Sequence, residues 1–203
     1  MNDEVENIVN HCLNPLIINK CYIQQVREEF TMLAYFLKSF KPHNLLEIGC
    51  KGGSFFMMNH FSTGTKIGVD IEDQFHMNMH FYTYQQDFSF IQGNSQTVET
   101  FNKVSEKCNS FDFIFIDGDH SYEGVKRDFE LYKPLLSARG YIGFHDVDPD
   151  HVFKGDAGGG EVYMFWEELN YGSKTEIICK KSSATYSMWG IKEHYGGIGL
   201  WRP

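Results

Sequence analysis

Residues 111–120, FDFIFIDGDH, constrain the fold more than any other stretch of the chain. Phe113 to Ile116 form an unbroken apolar run, the pattern of a strand buried on both faces. Such a strand sits inside a mainly parallel sheet and needs helices above and below it. The run stops abruptly at Asp117-Gly118-Asp119-His120. Placing two carboxylates and an imidazole at the end of a central strand is costly for stability alone, so the cluster reads as functional. Ser121 fits as the N-cap of a following helix. Tyr122, Val125, Phe129, Tyr132 and Leu136 supply that helix's buried stripe, and Gly140 is expected to close it.

A second stretch, NLLEIGCKGG at residues 44–53, reads as a buried strand followed by a tight glycine turn, with a packed helix over Phe55–Phe61. A strand, a glycine-rich turn and a helix N-terminus present free N–H groups where open α/β sheets bind nucleotide-like ligands. The dinucleotide fingerprint fails here, because Lys51 stands where its second glycine belongs. Glu47 would repel a pyrophosphate but favour a cationic ligand such as an amine or a sulfonium. The competing reading is a structural turn with no ligand. KIGVD at residues 66–70 is the second strand, and its terminal Asp70 lies where a βαβ unit sets a carboxylate against ribose hydroxyls. Glu72 is a rival for that role.

Further along, residues 88–92 give a third strand leading into the polar turn Gly93-Asn94-Ser95, placed to meet an adenine edge. Val98, Phe101, Val104 and Cys108 mark a helix. Residues 141–144 form another strand ending in His145-Asp146. Adjacent strands would bring Asp117 and Asp146 to one edge, where two carboxylates and an imidazole can hold a divalent ion. The alternative is that these acids cap loops, and Asp119 either joins the ion or orients a neighbour. His76 and His80 share a helical spacing but have no third ligand nearby. Ahead of the first strand, residues 23–40 form a helix stopped by Pro42, packed on the sheet or in a dimer contact. Residues 148–160 are a polar, glycine-rich loop able to act as a lid. Residues 162–169 form a helix, and residues 175–181 and 187–191 two closing strands. The tail at 196–201 receives no assignment.

Strand–helix alternation of this kind predicts a Rossmann-like, doubly wound, mainly parallel α/β sheet of seven strands, with helices on both faces and an antiparallel edge strand. At 203 residues the chain fits one domain: a helical lead-in over 1–42, a cofactor-binding core over 43–146, and a lid, helix and closing strands over 147–203. A net charge of -9 without a basic cluster argues against nucleic acid and for a small-molecule or soluble glycan partner. The five cysteines are scattered and lack a C-x-x-C pair, as expected of free thiols in a reducing cytoplasm. The polar N-terminus is no secretory signal, and no apolar run spans a membrane.

EIGCKGGSF, GVD, QGNS, FIDGDHSYEGVKRDFELYKPLL and GYIGFHDV, in that order, resemble the class I S-adenosylmethionine (SAM)-dependent methyltransferases. More narrowly they are similar to the small-molecule O-methyltransferase group with macrolide-sugar and cephalosporin-tailoring members. The resemblance spans about residues 45–169 and implies a cofactor site. In it Glu47, Gly49, Cys50, Lys51, Gly52, Gly53 and Ser54 lie around the methionine portion, Asp70 lies at the ribose, and Ile71 is a further cofactor-binding position. Asn94 and Ser95 would lie near the adenine, with Asp117 beside the cofactor. Some relatives hold magnesium through acids at the positions of Asp117, His145 and Asp146. His145 departs from that pattern and suits manganese, iron or zinc better. Methyl transfer from a sulfonium requires an aligned acceptor whose proton is removed, which makes His120 the candidate base, with Asp117 and His145 beside it. A cofactor-binding module without turnover and a nicotinamide oxidoreductase are the competing functions.

Overall fold

The computed structural model describes residues 3–12, 26–50, 58–73, 88–149, 160–179 and 196–203. Its centre is a seven-stranded sheet of β1 (Leu45–Ile48), β2 (Lys66–Asp70), β3 (Ser89–Gln92), β4 (Phe111–Ile116), β5 (Leu136–His145), β6 (Ser173–Ile177) and β7 (Ile198–Arg202). The spatial order is β3-β2-β1-β4-β5-β7-β6. Strands β3 to β5 pair in parallel, and β7 runs antiparallel to both neighbours, β5 and β6. The chain order reverses between β1 and β4, where a doubly wound sheet opens a crevice at its carboxyl edge.

Side-chain alternation fixes which helices cover which face. Leu45, Phe113 and Phe115 point to one side, joined by Ile198 and Leu200 of β7. They are covered by helices α1 (Glu4–Cys12) and α2 (Arg27–Phe40), through Val5, Val9, Phe30, Leu33 and Leu37. Leu46, Ile48, Ile114 and Ile116 point to the other side. There they meet Val104 of α3 (Val98–Lys107), Val125 and Phe129 of α4 (Tyr122–Tyr132), and Phe165 and Trp166 of α5 (Val162–Glu168). All six residues of β4 are buried, as its apolar run requires.

Two expectations change. Gly140 does not close the helix after the acidic cluster. That helix ends at Tyr132, and Pro134 carries the chain into a short 3-10 turn over Lys133–Leu135. Strand β5 then begins at Leu136, so Gly140 lies within it, and the β4–β5 register jumps from Phe111↔Leu136 to Phe113↔Tyr141. The last strand of the sheet is the unassigned tail, β7, inserted between β5 and β6. Residues 187–191, expected to be a strand, lie outside the described residues, as do His76, His80 and 150–159 of the expected lid. Cys12, Cys50, Cys108 and Cys179 are free thiols, and among the described residues no helix is long and apolar enough to cross a membrane.

Candidate active site at the carboxyl edge of the sheet

The candidate cofactor, metal and catalytic residues that the structure describes lie on or beside the carboxyl ends of β1 to β5. Glu47 is fully buried in β1, one residue before the strand's end. Gly49 follows with φ of +81° and donates its N–H to the Val69 carbonyl at 2.8 Å. A Cβ at Gly49 would stand 2.1 Å from the Asp117 carbonyl oxygen, so glycine is required by the close approach of the β4 exit. Cys50 is buried, and that burial pushes its thiol well above the ordinary range. Lys51, Gly52, Gly53 and Ser54 lie outside the described residues.

Asp70 ends β2, and its Oδ1 accepts the N–H of Glu72 at 2.9 Å, folding the chain into a turn. That turn leaves Ile71 65% exposed, a large apolar side chain in water beside the crevice. Past β3, Asn94 Oδ1 accepts the N–H of Gln96 at 2.9 Å. The Ser95 carbonyl accepts the Tyr132 hydroxyl at 3.0 Å, and the Gln96 carbonyl accepts Arg127 Nε at 3.1 Å. Helix α4 thereby holds this turn from behind. Asp119 belongs to the scaffold: its Oδ1 accepts the Ser121 N–H, and its Oδ2 accepts Gln96 Nε2 at 3.0 Å. Ser121 caps α4 by accepting the Gly124 N–H.

Asp117, His120, His145 and Asp146 converge. His120 lies between the two carboxylates, with Nε2 3.2 Å from Asp117 Oδ1 and Nδ1 3.0 Å from Asp146 Oδ2. His145 Nδ1 is 3.2 Å from both Asp117 Oδ1 and Asp146 Oδ1. Burial opposes charge on His120, but its two carboxylate partners outweigh burial and raise its pKa to about 10. His145 is likewise raised well above the imidazole range, the charges of Asp117 and Asp146 prevailing over burial. Asp117 is held below the usual carboxylate range because the two imidazoles overcome its own burial.

The backbone contributes to this convergence. Successive residues of an extended strand point to opposite faces. Asp146 instead adopts φ of +62°, a region unfavourable for residues other than glycine, which turns its carboxylate back beside the His145 ring. Ligand atoms of Asp117, His120 and Asp146 all lie within 4.8 Å of one another, the spacing of a cation site.

Sequence reading missed Glu29. This α2 residue is 1% exposed, and its carboxylate accepts the N–H groups of Cys179 at 3.1 Å and Gly197 at 3.0 Å. A Cβ on the adjacent Gly196 would stand 2.8 Å from Asp146 Oδ1 and 3.1 Å from His145 Nε2. Glu29 therefore anchors the chain that backs the cluster. Nothing in the sequence near Glu29 signals this, since both partners lie more than a hundred residues away.

Residues 46–147, half of the chain, match the family described as "Methyltransferase domain". Among curated proteins, an uncharacterised protein of Acanthamoeba polyphaga mimivirus is 31% identical over 128 residues, covering 58% of each chain. An uncharacterised protein of Sinorhizobium fredii is 39% identical over 62 residues, 30% of this chain and 6% of that one. The alignments thus span little more than half of one curated relative and a small part of the other. Among solved structures, the O-methyltransferase from Bacillus cereus in complex with SAH superposes with a TM-score of 0.67 at 18% identity, over 98% of this chain and 90% of that one. TomG, an O-methyltransferase from Streptomyces achromogenes solved with SAM, gives 0.62 at 16% identity, over 98% and 89%. The MycE methyltransferase of the mycinamycin pathway, solved with Mg and SAH, gives 0.54 at 20% identity, over 72% and 38%. At these identities the structural likeness establishes the Rossmann-like fold.

Proposed function

Because this chain belongs to the methyltransferase-domain family, we propose that it is a SAM-dependent enzyme that methylates an oxygen, most naturally a hydroxyl of a small molecule or sugar. The observation that carries the reading is the Asp117–His120–His145–Asp146 cluster, which stands beside the Gly49 turn at the same edge of the sheet.

In this reading the turn from Glu47 through Ser54 receives the methionine portion of SAM, and Asp70 receives the ribose hydroxyls. The exposed side chain of Ile71 lies against the adenine face, while Asn94 and Ser95 meet its edge. Bound SAM would supply an electrophilic methyl on a sulfonium, and an ion, if held by Asp117, His145 and Asp146, would supply Lewis acidity toward the acceptor hydroxyl. The two carboxylates are balanced by two imidazoles, so the cluster gains net negative charge, and attraction for a cation, as those imidazoles give up their protons. His120 manages the proton. While both carboxylates serve it alone it stays an imidazolium. A cation held by the same carboxylates would draw on their charge and favour the neutral imidazole, the form of His120 able to accept a hydroxyl proton. Asp119 and Gln96 fix the two turns relative to each other, holding the acceptor and cofactor sides in register. MycE, which shares this fold, was solved with both Mg and SAH, which is consistent with an ion accompanying the cofactor. The acidic net charge, free thiols and lack of a basic cluster favour a small acceptor met in the cytoplasm rather than nucleic acid.

The test is calorimetric titration of SAM and S-adenosylhomocysteine (SAH) into metal-stripped protein, with NAD as control and with Mg2+ or Mn2+ added in parallel. SAH formation is then followed across a panel of hydroxylated acceptors. Binding of the sulfur nucleotides and not NAD is expected, with turnover lost in His120→Ala and Asp117→Asn while SAH still binds. Absence of binding to either sulfur nucleotide refutes the reading. Binding without turnover on any acceptor would favour a non-enzymatic cofactor module.

A further inference from the structure

The cluster at the heads of β4 and β5 is not an all-oxygen site, and we propose that it takes a first-row transition ion in preference to Mg2+, with His145 Nδ1 as a direct ligand. This rests on the reading of the cluster as a cation site. Two ligand atoms about 2.1 Å from one ion and at right angles to each other lie about 3 Å apart. His145 Nδ1 stands 3.2 Å from one oxygen of each carboxylate, the separation expected between Nδ1 and each oxygen as neighbouring ligands of one ion.

A second observation is the state of the His145 ring. It is 3% exposed, and neither ring nitrogen makes a hydrogen bond: the carboxylates are near Nδ1 but not aligned with it. The two carboxylates satisfy that ring through charge but not through aligned hydrogen bonds, and a ligand bound directly at Nδ1 would complete it. The Nε2 side is closed by the backbone at Gly196, where even a Cβ would come within 3.1 Å. Only Nδ1 faces the carboxylates. The left-handed turn at Asp146 belongs to the same arrangement, since without it His145 and Asp146 would point to opposite faces.

Donor chemistry then selects the ion. Mg2+ takes oxygen ligands in octahedral geometry and retains water. Imidazole suits iron, zinc, copper and nickel, and it is tolerated by manganese better than by magnesium. His120, whose side chain is 26% exposed and whose nitrogens lie within 3.2 Å of both acids, stays on the open side as the proton acceptor, so the test separates its nitrogen from that of His145.

Nearly any mixed site ranks transition ions above Mg2+, so the decisive readout is the nitrogen. Metal-stripped full-length protein is loaded with Mn2+, and pulsed electron paramagnetic resonance is recorded for coupling to directly bound 14N. Mn2+ and Mg2+ are titrated calorimetrically in the same preparations, with SAH titrated alongside. The wild type is expected to show imidazole coupling. His145→Asp should lose the His145 contribution, and its Mn2+-over-Mg2+ preference should fall by about tenfold or more, the scale on which even outer-shell partners act. Unchanged SAH affinity in H145D confirms that the variant is folded.

Mn2+ bound without 14N coupling overturns the proposal. So does coupling that survives in H145D and vanishes in His120→Gln, which assigns the nitrogen to His120. An unchanged metal preference in H145D has the same meaning. SAH binding with no Mn2+ binding at millimolar concentration removes the metal inference while leaving the methyltransferase reading intact. Failure of SAH to bind the wild type removes the function on which the inference rests.

Discussion

Glu29 gives a prediction whose size can be worked from the structure. Its carboxylate accepts two backbone N–H groups, from Cys179 just beyond β6 and from Gly197 just before β7. Burial raises its carboxyl above the ordinary range, while those two donors and the charge of His145 pull the other way. Hydrogen bonds to a charged group contribute about 1.5–3 kcal/mol each, so removing two costs roughly 3–6 kcal/mol. Relief of the buried charge offsets part of this. The expected net loss for Glu29→Ala is about 2–4 kcal/mol, or a fall in Tm of about 4–16 °C for a chain of this size. Glu29→Gln keeps the shape and one acceptor but sets its NH2 against a backbone donor, at a cost of about 1–3 kcal/mol. Urea denaturation with a shared m-value measures both. A loss below about 0.5 kcal/mol for Glu29→Ala would refute the anchoring role, because it would place the residue among ordinary surface substitutions.

Three further outcomes follow from the same geometry. Gly49→Ala should cost about 2–4 kcal/mol, combining a left-handed backbone with a Cβ 2.1 Å from the Asp117 carbonyl. It should also weaken SAH binding, as calorimetry and thermal melting can report together. His120 has a folded pKa raised to about 10, so its contribution to the stability of metal-free protein is complete below about pH 6.5 and lost as pH rises toward 10. Tm should decline over that interval, less steeply in His120→Gln. Asp128 is buried in α4, and burial raises its carboxyl to about 7. Its stabilising protonation is lost as pH climbs from about 4 through 7, and Asp128→Asn should flatten the Tm profile there.

The legible parts of the sequence were those where hydrophobicity changes sharply. Strands β1, β2 and β4 carry apolar runs that stop at Gly49, Asp70 and Asp117, so both strand and site edge were marked. Two carboxylates and two imidazoles at adjacent strand ends were equally visible. Strand β7 was hidden by its own packing requirement. GGIGLWR looks like a loop, yet a Cβ at Gly199 would come within 2.8 Å of the Trp166 ring. The glycine that weakens the strand signal is the one the core demands. The β5 start was masked for a related reason, since Gly140 resembles a helix cap while Pro134 had already ended the helix. The turn at Asp146 and the burial of Glu29 carry no local signature. One is a single backbone angle, and the other depends on amides brought from elsewhere in the fold.

The position of β7 also bears on how a ribosome can deliver this molecule. Strands β1 to β5 find their sheet partners among segments already synthesised, but β6 has only β7 as a neighbour, and β7 is translated after it. Until then the β5 edge, carrying His145, is an open template for pairing with other chains. The interval between translation of β5 and arrival of β7 is therefore when a nascent chain is most exposed to aggregation. A peptide carrying residues 198–202 should compete for the vacant slot in a chain cut after β6, making this strand a handle for split-protein complementation.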